Sequence, residues 1–217
     1  MPNRFVQIAV EGNVGSGKTT FLRYFESLSP NVEVFPEPID QWNNVKGFRL
    51  FDNFYSNPTR WNTPYRAQLM VTLANQHSAP RTSKIRLVER SIYSNRYVFT
   101  EVNRRNGVLT DGDCEILNEY YEWSCQLPIF KLDLIVYLRS TPEVCVKRIR
   151  RRQRTGEDTM SIEFLREVHR LHEEWLLGKY SEYCPAPVVI FDTSGSLDNV
   201  TSTYFKRKDE ILCTVLV

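Results

Sequence analysis

Five short runs rich in β-branched and aromatic residues punctuate the chain: RFVQIAV at 4–10, NVEVFP at 31–36, KIRLV at 84–88, DLIVYL at 133–138 and PVVIF at 187–191. Apolar runs of this length predict buried strands. Between them the spacing turns helical. In SIEFLREVHRLHEEWLLGKY at 161–180, Phe164, Leu165, Val168, Leu171, Trp175 and Leu176 fall on one side of a predicted helix. Strands alternating with helices predict an α/β fold on a parallel sheet with right-handed crossovers. The spacers on either side of the third run are long enough for paired helices, which places a mainly helical region beside the sheet. No internal repeat or low-complexity tract interrupts the pattern. With 217 residues, 41% of them hydrophobic, residues 1–217 read as one domain with one well-filled core.

Composition narrows the partners. A net charge of +2 is too small to imply a nucleic-acid or membrane partner, since gripping a polyanion needs a concentrated excess of Lys and Arg. Cys114, Cys125, Cys145, Cys184 and Cys213 form an odd set without a CxxC pair, the pattern of free thiols in a reducing compartment. MPNRFVQIA at 1–9 runs straight into the first strand, and no apolar run reaches membrane-spanning length, so the expected location is cytoplasmic.

Open parallel sheets bind ligands beyond the carboxyl ends of their strands, and four such ends carry chemistry here. The first is Gly12-Asn13-Val14-Gly15-Ser16-Gly17-Lys18-Thr19-Thr20, a GxxxxGK[ST] loop between a strand and a helix. Its backbone N–H groups can cradle phosphates, Lys18 can reach the outer phosphates, and the Thr19 hydroxyl can hold Mg²⁺, a nucleoside triphosphate site. The second is PEPIDQW at 36–42, whose prolines aim Glu37 into the same crevice as a candidate general base for a hydroxyl attacking phosphorus. The third is LVERSIYSNRY at 87–97. There Glu89 can ligate Mg²⁺ through water, Arg90 can clamp a 5′ oxygen or the moving phosphoryl group, and Ser91 can cap the next helix. The fourth strand leads to VKRIRRRQRTGED at 146–158, where Arg148, Arg150, Arg151, Arg152 and Arg154 crowd before Gly156 as an Arg-rich lid over about 148–158.

GNVGSGKTT, EPIDQW, ERSIYSNRYVF and RIRRRQRTGE, joined by NRRNG at 103–107 and LHEEWL at 171–176, resemble the deoxyribonucleoside kinases over nearly the whole chain. The resemblance implies a P-loop kinase fold with a five-stranded parallel sheet, a homodimer formed through helices outside the sheet, and ATP with Mg²⁺ as phosphoryl donor. It implies Glu37 as base for the 5′-hydroxyl of a deoxyribonucleoside with Arg90 as its partner, and Arg152 and Arg154 as lid arginines near the donor phosphates. Tyr55 and Glu157 match the pair that holds the sugar 3′-hydroxyl. Trp42 and Phe99 match aromatics around the base, Leu69 lines the same pocket, and Arg96 is a further side chain near the acceptor. DTSGSLDNV at 192–200 resembles the segment that meets the donor adenine.

One position departs from the family. In WNTPYRAQLMVTL at 61–73, the slot that usually presents a Gln amide to the base holds Arg66, with Gln68 two residues on and rotated away by about 200° on a helix. Gln offers an acceptor and a donor, whereas Arg offers donors only, which suit cytosine N3 and O2 or guanine O6 and N7. Alternatively Arg66 turns to solvent and Gln68 or water reads the base. The slots of the Arg and Asp pair found in deoxycytidine and deoxyguanosine kinases hold Leu73 and Asn95, which leaves room for a 5-methyl pyrimidine. The expectation is therefore a pyrimidine-preferring or broad kinase. The rivals are a nucleoside monophosphate kinase, which would need cations where Glu37 stands, and a silent nucleotide-binding subunit, which would be free to lose Lys18, Glu37 or Arg90. His169 and His172, three apart, lack a third ligand and read as polar residues on an outer helix face. His77 reads as a helix-end residue, and FKRKDEILC at 205–213 as a solvated helix.

Overall fold

The computed structural model describes residues 5–154, 156–157 and 160–212. Arg4 of the first apolar run, Thr155 and Asp158 of the lid, and Cys213 lie outside these residues. Five strands, β1 (Val6–Glu11), β2 (Val32–Phe35), β3 (Ile85–Glu89), β4 (Leu134–Arg139) and β5 (Val188–Asp192), form one sheet. Their order is β2-β3-β1-β4-β5, with every pairing parallel. All five predicted strands are present. Burial divides them: β1 and β3 are buried throughout and β4 up to its last residue, but edge strands β2 and β5 are only partly covered, because each pairs on one side alone.

The pleat sorts the core into two layers. Val6, Ile8 and Val10 of β1 face α1 (Lys18–Leu28), meeting Phe21, Leu22 and Phe25. Ala9, Val88, Ile135 and Tyr137 face the helical layer on the other side. That layer holds α2 (Ile39–Trp42), α3 (Leu50–Ser56) and α4 (Pro58–Ser78) before β3, and α5 (Ile92–Ser94), α6 (Glu101–Arg105) and α7 (Asp111–Cys125) after it. Between α5 and α6 the helix continues through a π-helical stretch, Asn95–Thr100. Ser91 caps α5 as predicted, through a reciprocal hydrogen-bond pair with Ser94, and Thr110 and Asp113 cap α7 in the same way. α8 (Pro142–Arg152) follows β4, and α9 (Ile162–Leu176) follows the lid.

The helix expected over 161–180 ends at Leu176, where Leu177 turns outward and Gly178 breaks the pattern. Five of its six predicted core residues are buried, and Phe164 is partly so. His172 belongs to the inner face, against expectation: it is fully buried, its ring stacks on Tyr137 at 5.8 Å, and its Nδ1 lies 2.8 Å from the Val168 carbonyl. His77 ends α4 as expected but is buried against Phe130. The tail at 205–213, expected to be a solvated helix, comprises the end of α10 (Leu197–Lys206) and α11 (Asp209–Leu212), which Ile211, fully buried, docks beside the Tyr204 ring of α10 in the core on the α1 side of the sheet. No helix among the described residues is long and apolar enough to cross a membrane, and Cys114, Cys125, Cys145 and Cys184 are free.

Candidate active site

The loop after β1 depends on glycine at its first position. Gly12 has φ of +141°, and a Cβ there would sit 2.6 Å from the Leu138 carbonyl, so only glycine lets the loop pass this close to β4. Asn13 locks the loop from inside: its Nδ2 donates to the Leu165 carbonyl of α9 at 2.8 Å, and its Oδ1 accepts from Val14 N at 2.8 Å. Lys18 is buried, with Nζ 3.0 Å from the Asn13 carbonyl. Burial and then the Arg90 charge draw Lys18 down to about 8, against the pull of Glu89, Glu37 and Glu11. Thr19 donates to Glu89 Oε2 at 3.1 Å, and Lys18 Nζ stands 3.9 Å from Glu89 Oε1. Thr20 is exposed on α1, and its side chain does not line the cavity described below.

β3 delivers the next group. Arg90 has φ of +67°, a left-handed conformation that costs a non-glycine residue about 1 kcal/mol or more. The turn sends its guanidinium across the sheet end. Its Nε meets Glu37 Oε1 at 2.7 Å, its Nη1 donates to the Gly12 carbonyl at 3.0 Å, and its plane lies over the Phe99 ring at 4.3 Å. Burial alone would raise the Glu37 carboxyl, but Arg90 and Lys18 outweigh it and hold Glu37 below the usual carboxylate range. Glu89 moves the other way, raised by burial and by the Glu37 charge. Beneath them Glu11, fully buried, accepts from Ser91 Oγ at 2.6 Å, and its Oε2 has no hydrogen-bond partner among the described residues. Burial pushes the Glu11 carboxyl up to about 7.

A cavity of about 330 Å³ opens from these charges into the helical layer. Lys18, Glu37, Glu89 and Arg90 line it on the sheet side, with Trp42, Phe51, Tyr65, Leu69, Leu73 and Phe99 as apolar walls. Trp42 is buried, its indole N–H donating to Thr72 Oγ1 at 2.9 Å. α4 turns Asn62, Tyr65, Arg66, Leu69 and Leu73 inward at helical spacing. Arg66 therefore lies inside rather than swinging to solvent, and Gln68 is not among the lining residues. Asn95 lines the cavity beside it and accepts a hydrogen bond from Arg66 Nη1. Arg96 does not reach the cavity: the helix points it toward α7, where Nε donates to Asn118 Oδ1 at 2.7 Å.

The lid arginines divide. Arg152 and Arg154 both pair with Glu157, the second at 3.0 Å, and all three line the cavity with Tyr55. Gly156, at φ of +84°, lets the chain turn against Tyr55, whose ring a Cβ would meet at 2.8 Å. Arg148 belongs elsewhere, being part of α8, with Nη2 donating to the Thr193 carbonyl at 2.7 Å and the Gly195 carbonyl at 3.2 Å. Its Nη1 reaches the Ser16 carbonyl at 3.4 Å, and Thr193 Oγ1 donates to the same atom at 2.9 Å. Arg150 and Arg151 are exposed.

The deoxynucleoside kinase family model matches residues 8–215. The chain belongs to that family. It is an enzyme that phosphorylates deoxynucleosides, the chemistry of nucleoside salvage. It is similar to the human protein named mitochondrial thymidine kinase 2, with 36% identity over 94% of this chain and 77% of the human one. It is similar also to chicken deoxycytidine kinase 2, at 31% over 90% of this chain and 85% of that one. A probable deoxycytidine kinase of fowlpox virus is 31% identical over 87% of this chain and 79% of its own.

Sequence reasoning missed several parts of this kinase's site. Glu11, buried beneath the cavity and not lining it, lacks a motif of its own, although a carboxylate at a strand end beside a P-loop was a usable signal. Asn103, whose Nδ2 donates to the Phe99 carbonyl at 2.7 Å, and Val108 line the cavity. The π-helical stretch that carries Asn95 and Phe99 left no signal, because its pattern of apolar residues is compatible with an ordinary helix.

Proposed function

We propose that this kinase transfers the terminal phosphoryl group of ATP to the 5′-hydroxyl of a deoxyribonucleoside, with Glu37 as general base. The observation that carries the reading is the 2.7 Å contact between Glu37 and Arg90 at the junction of P-loop and cavity. It leaves a carboxylate ionised and aimed where an acceptor hydroxyl must come. Lys18 and Arg90 stabilise the charge that develops on the phosphoryl oxygens, and Gly12–Thr20 wrap the donor phosphates through backbone N–H groups. Arg152 and Arg154 close over them. Tyr55 and Glu157 hold the sugar, and Trp42, Leu69, Leu73 and Phe99 enclose the base.

The Thr19 hydroxyl and Glu89 carboxylate, 3.1 Å apart, are hard oxygen donors suited to Mg²⁺, and no group of three His, Cys, Asp or Glu among the described residues forms a closed metal cage. Mg²⁺ held there mainly by phosphates and water would neutralise donor charge. A monophosphate acceptor fits less well, because Glu37 and Glu157 would face its phosphate.

We also propose a homodimer, supported by Ile116, Tyr120 and Trp123, which form an exposed apolar row on α7. The four free thiols favour a reducing, cytoplasmic location. The named relatives and the apolar pocket favour pyrimidine or broad acceptance. The test is Glu37→Gln, assayed with Mg²⁺ and ATP against a deoxynucleoside panel. A loss of about 10²–10⁴-fold in kcat with nucleotide binding retained is expected, and near wild-type turnover would remove Glu37 as base.

A further inference from the structure

Arg66 is a buried guanidinium, 3% exposed, and among the described residues no carboxylate pairs with it. Its Nε donates to Asn62 Oδ1 at 3.1 Å, its Nη1 to Asn95 Oδ1, and its Nη2 to the Phe99 carbonyl at 2.9 Å. All three partners are neutral oxygens. Burial draws Arg66 down to about 10, with Tyr65 opposing the shift and the Arg90 charge adding to it. A guanidinium carries five N–H donors and no acceptor, so two donors have no partner among the described residues.

Asn95 adds to the same polarity. Because Arg66 can only donate, the Asn95 atom facing it must be the amide oxygen, which leaves Asn95 with its NH₂ to offer. That nitrogen lies 3.7 Å from Met70 Sδ, a weak acceptor easily replaced by a stronger one. Arg66 and Asn95 therefore present donors alone to a ligand in the cavity.

Resting on the kinase reading above, we propose that Arg66 and Asn95 read the base through an edge bearing two adjacent acceptors, which selects cytosine, by N3 and O2, over thymine or uracil. The N3–H of thymine and uracil would face a donor instead of an acceptor. Guanine shares the required chemistry through O6 and N7, whereas adenine pairs N7 with an amino group. The rejection of thymine is polar rather than steric in this reading, because Leu73 is an apolar lining residue that a 5-methyl group would meet without any polar penalty. This selectivity runs against overall likeness, in which the thymidine kinase at 36% stands above the deoxycytidine kinases at 31%.

Deoxyuridine separates the two causes, because it lacks the methyl group but keeps N3–H. The experiment measures kcat/KM with Mg²⁺ and ATP for deoxycytidine, deoxyuridine, thymidine, deoxyguanosine, deoxyadenosine and the 2-pyrimidinone deoxyribonucleoside, which keeps N3 and O2 without the amino group. Deoxycytidine should exceed deoxyuridine by about 10- to 100-fold, the range of one unpaired buried donor. The pyrimidinone should stay near deoxycytidine, and deoxyguanosine should exceed deoxyadenosine. Equal rates for deoxycytidine and deoxyuridine, a pyrimidinone as poor as deoxyuridine, or deoxyadenosine above deoxyguanosine would overturn the proposal. In Arg66→Gln the deoxycytidine-to-deoxyuridine ratio should fall to within about threefold, since a Gln amide can satisfy either ring, and an unchanged ratio would also overturn it. If Arg66→Gln does not fold, the wild-type series decides alone. Absence of turnover with every nucleoside would sink the kinase reading together with this one.

Discussion

Around the P-loop, Lys18 and Arg90 share one buried network with Glu11, Glu37 and Glu89, whereas among the described residues Arg66 is held by neutral oxygens alone. The proposed donor side is built from loop backbone and balanced charge. The proposed base side is built from α4 and the helix over 92–105, and its walls, Trp42, Phe51, Tyr65, Leu69 and Leu73, belong to the main hydrophobic core. A balanced network can accept a polyanion and lose it again with little rearrangement. A wall that is also core couples recognition of the base to the stability of the fold.

Substitutions on the two sides should therefore separate rate from stability. Lys18→Met should lower kcat/KM by about 10³-fold, the upper range for one transition-state donor, while the melting temperature holds or rises because a buried cation is gone. Trp42→Ala should reduce both quantities, destabilising the fold by about 3–5 kcal/mol in thermal or urea unfolding. If Trp42→Ala melted like wild type, the base wall would not be core and the contrast would collapse.

A pH titration sharpens the donor side. Lys18 is drawn down to about 8, so kcat/KM for ATP should decline as pH rises through that value. Bound triphosphate favours the charged amine and should move the corresponding limb of kcat to higher pH. Arg148→Ala should raise the KM for ATP about tenfold with kcat little changed, because it leaves the 193–195 loop tied to the P-loop only through Thr193 and Ser16 among the described contacts, without touching the cavity.

Glu11→Gln carries the smallest effect. A carboxyl raised to about 7 binds its proton in the folded state where the unfolded chain has already lost it. Its contribution to stability therefore falls as pH rises from the ordinary carboxylate range toward 7 and stays low above it. The glutamine variant should melt a few degrees higher than wild type at pH 8 and show little gain at pH 5.

The architecture was legible because each strand is a short, mainly apolar run, broken at most by single polar residues such as Gln7, Glu33 and Arg86, and chemistry follows it directly. Lys18, Glu37 and Arg90 come from three separate strand ends and converge because parallel strands all end on one side of the sheet. Less legible was anything decided by side-chain direction within a helix. Arg96 and His172 each sat on a recognised segment, yet one points toward α7 and the other into the core. Arg66 was ambiguous for the same reason, since its burial depends on Asn62, Asn95 and the Phe99 carbonyl arriving from two elements at once. The basic run at 148–154 suggested one lid, but Arg148 lies a turn earlier on α8 and faces the P-loop instead.

The π-helical stretch at Asn95–Thr100 can be viewed as one surplus codon. A π turn holds one residue more than the α turn it replaces. An in-frame deletion of a single residue there would rewind the segment to plain α-helix. Because the π turn already absorbs the extra residue, the helix beyond it would keep its register, and only side chains within the stretch, Asn95 and Phe99 among them, would be redirected along the cavity wall. The sheet, P-loop and Glu37 would keep their places, so a lineage of such enzymes could re-tune the acceptor it takes through loss of one triplet, with its phosphate-transfer machinery inherited whole.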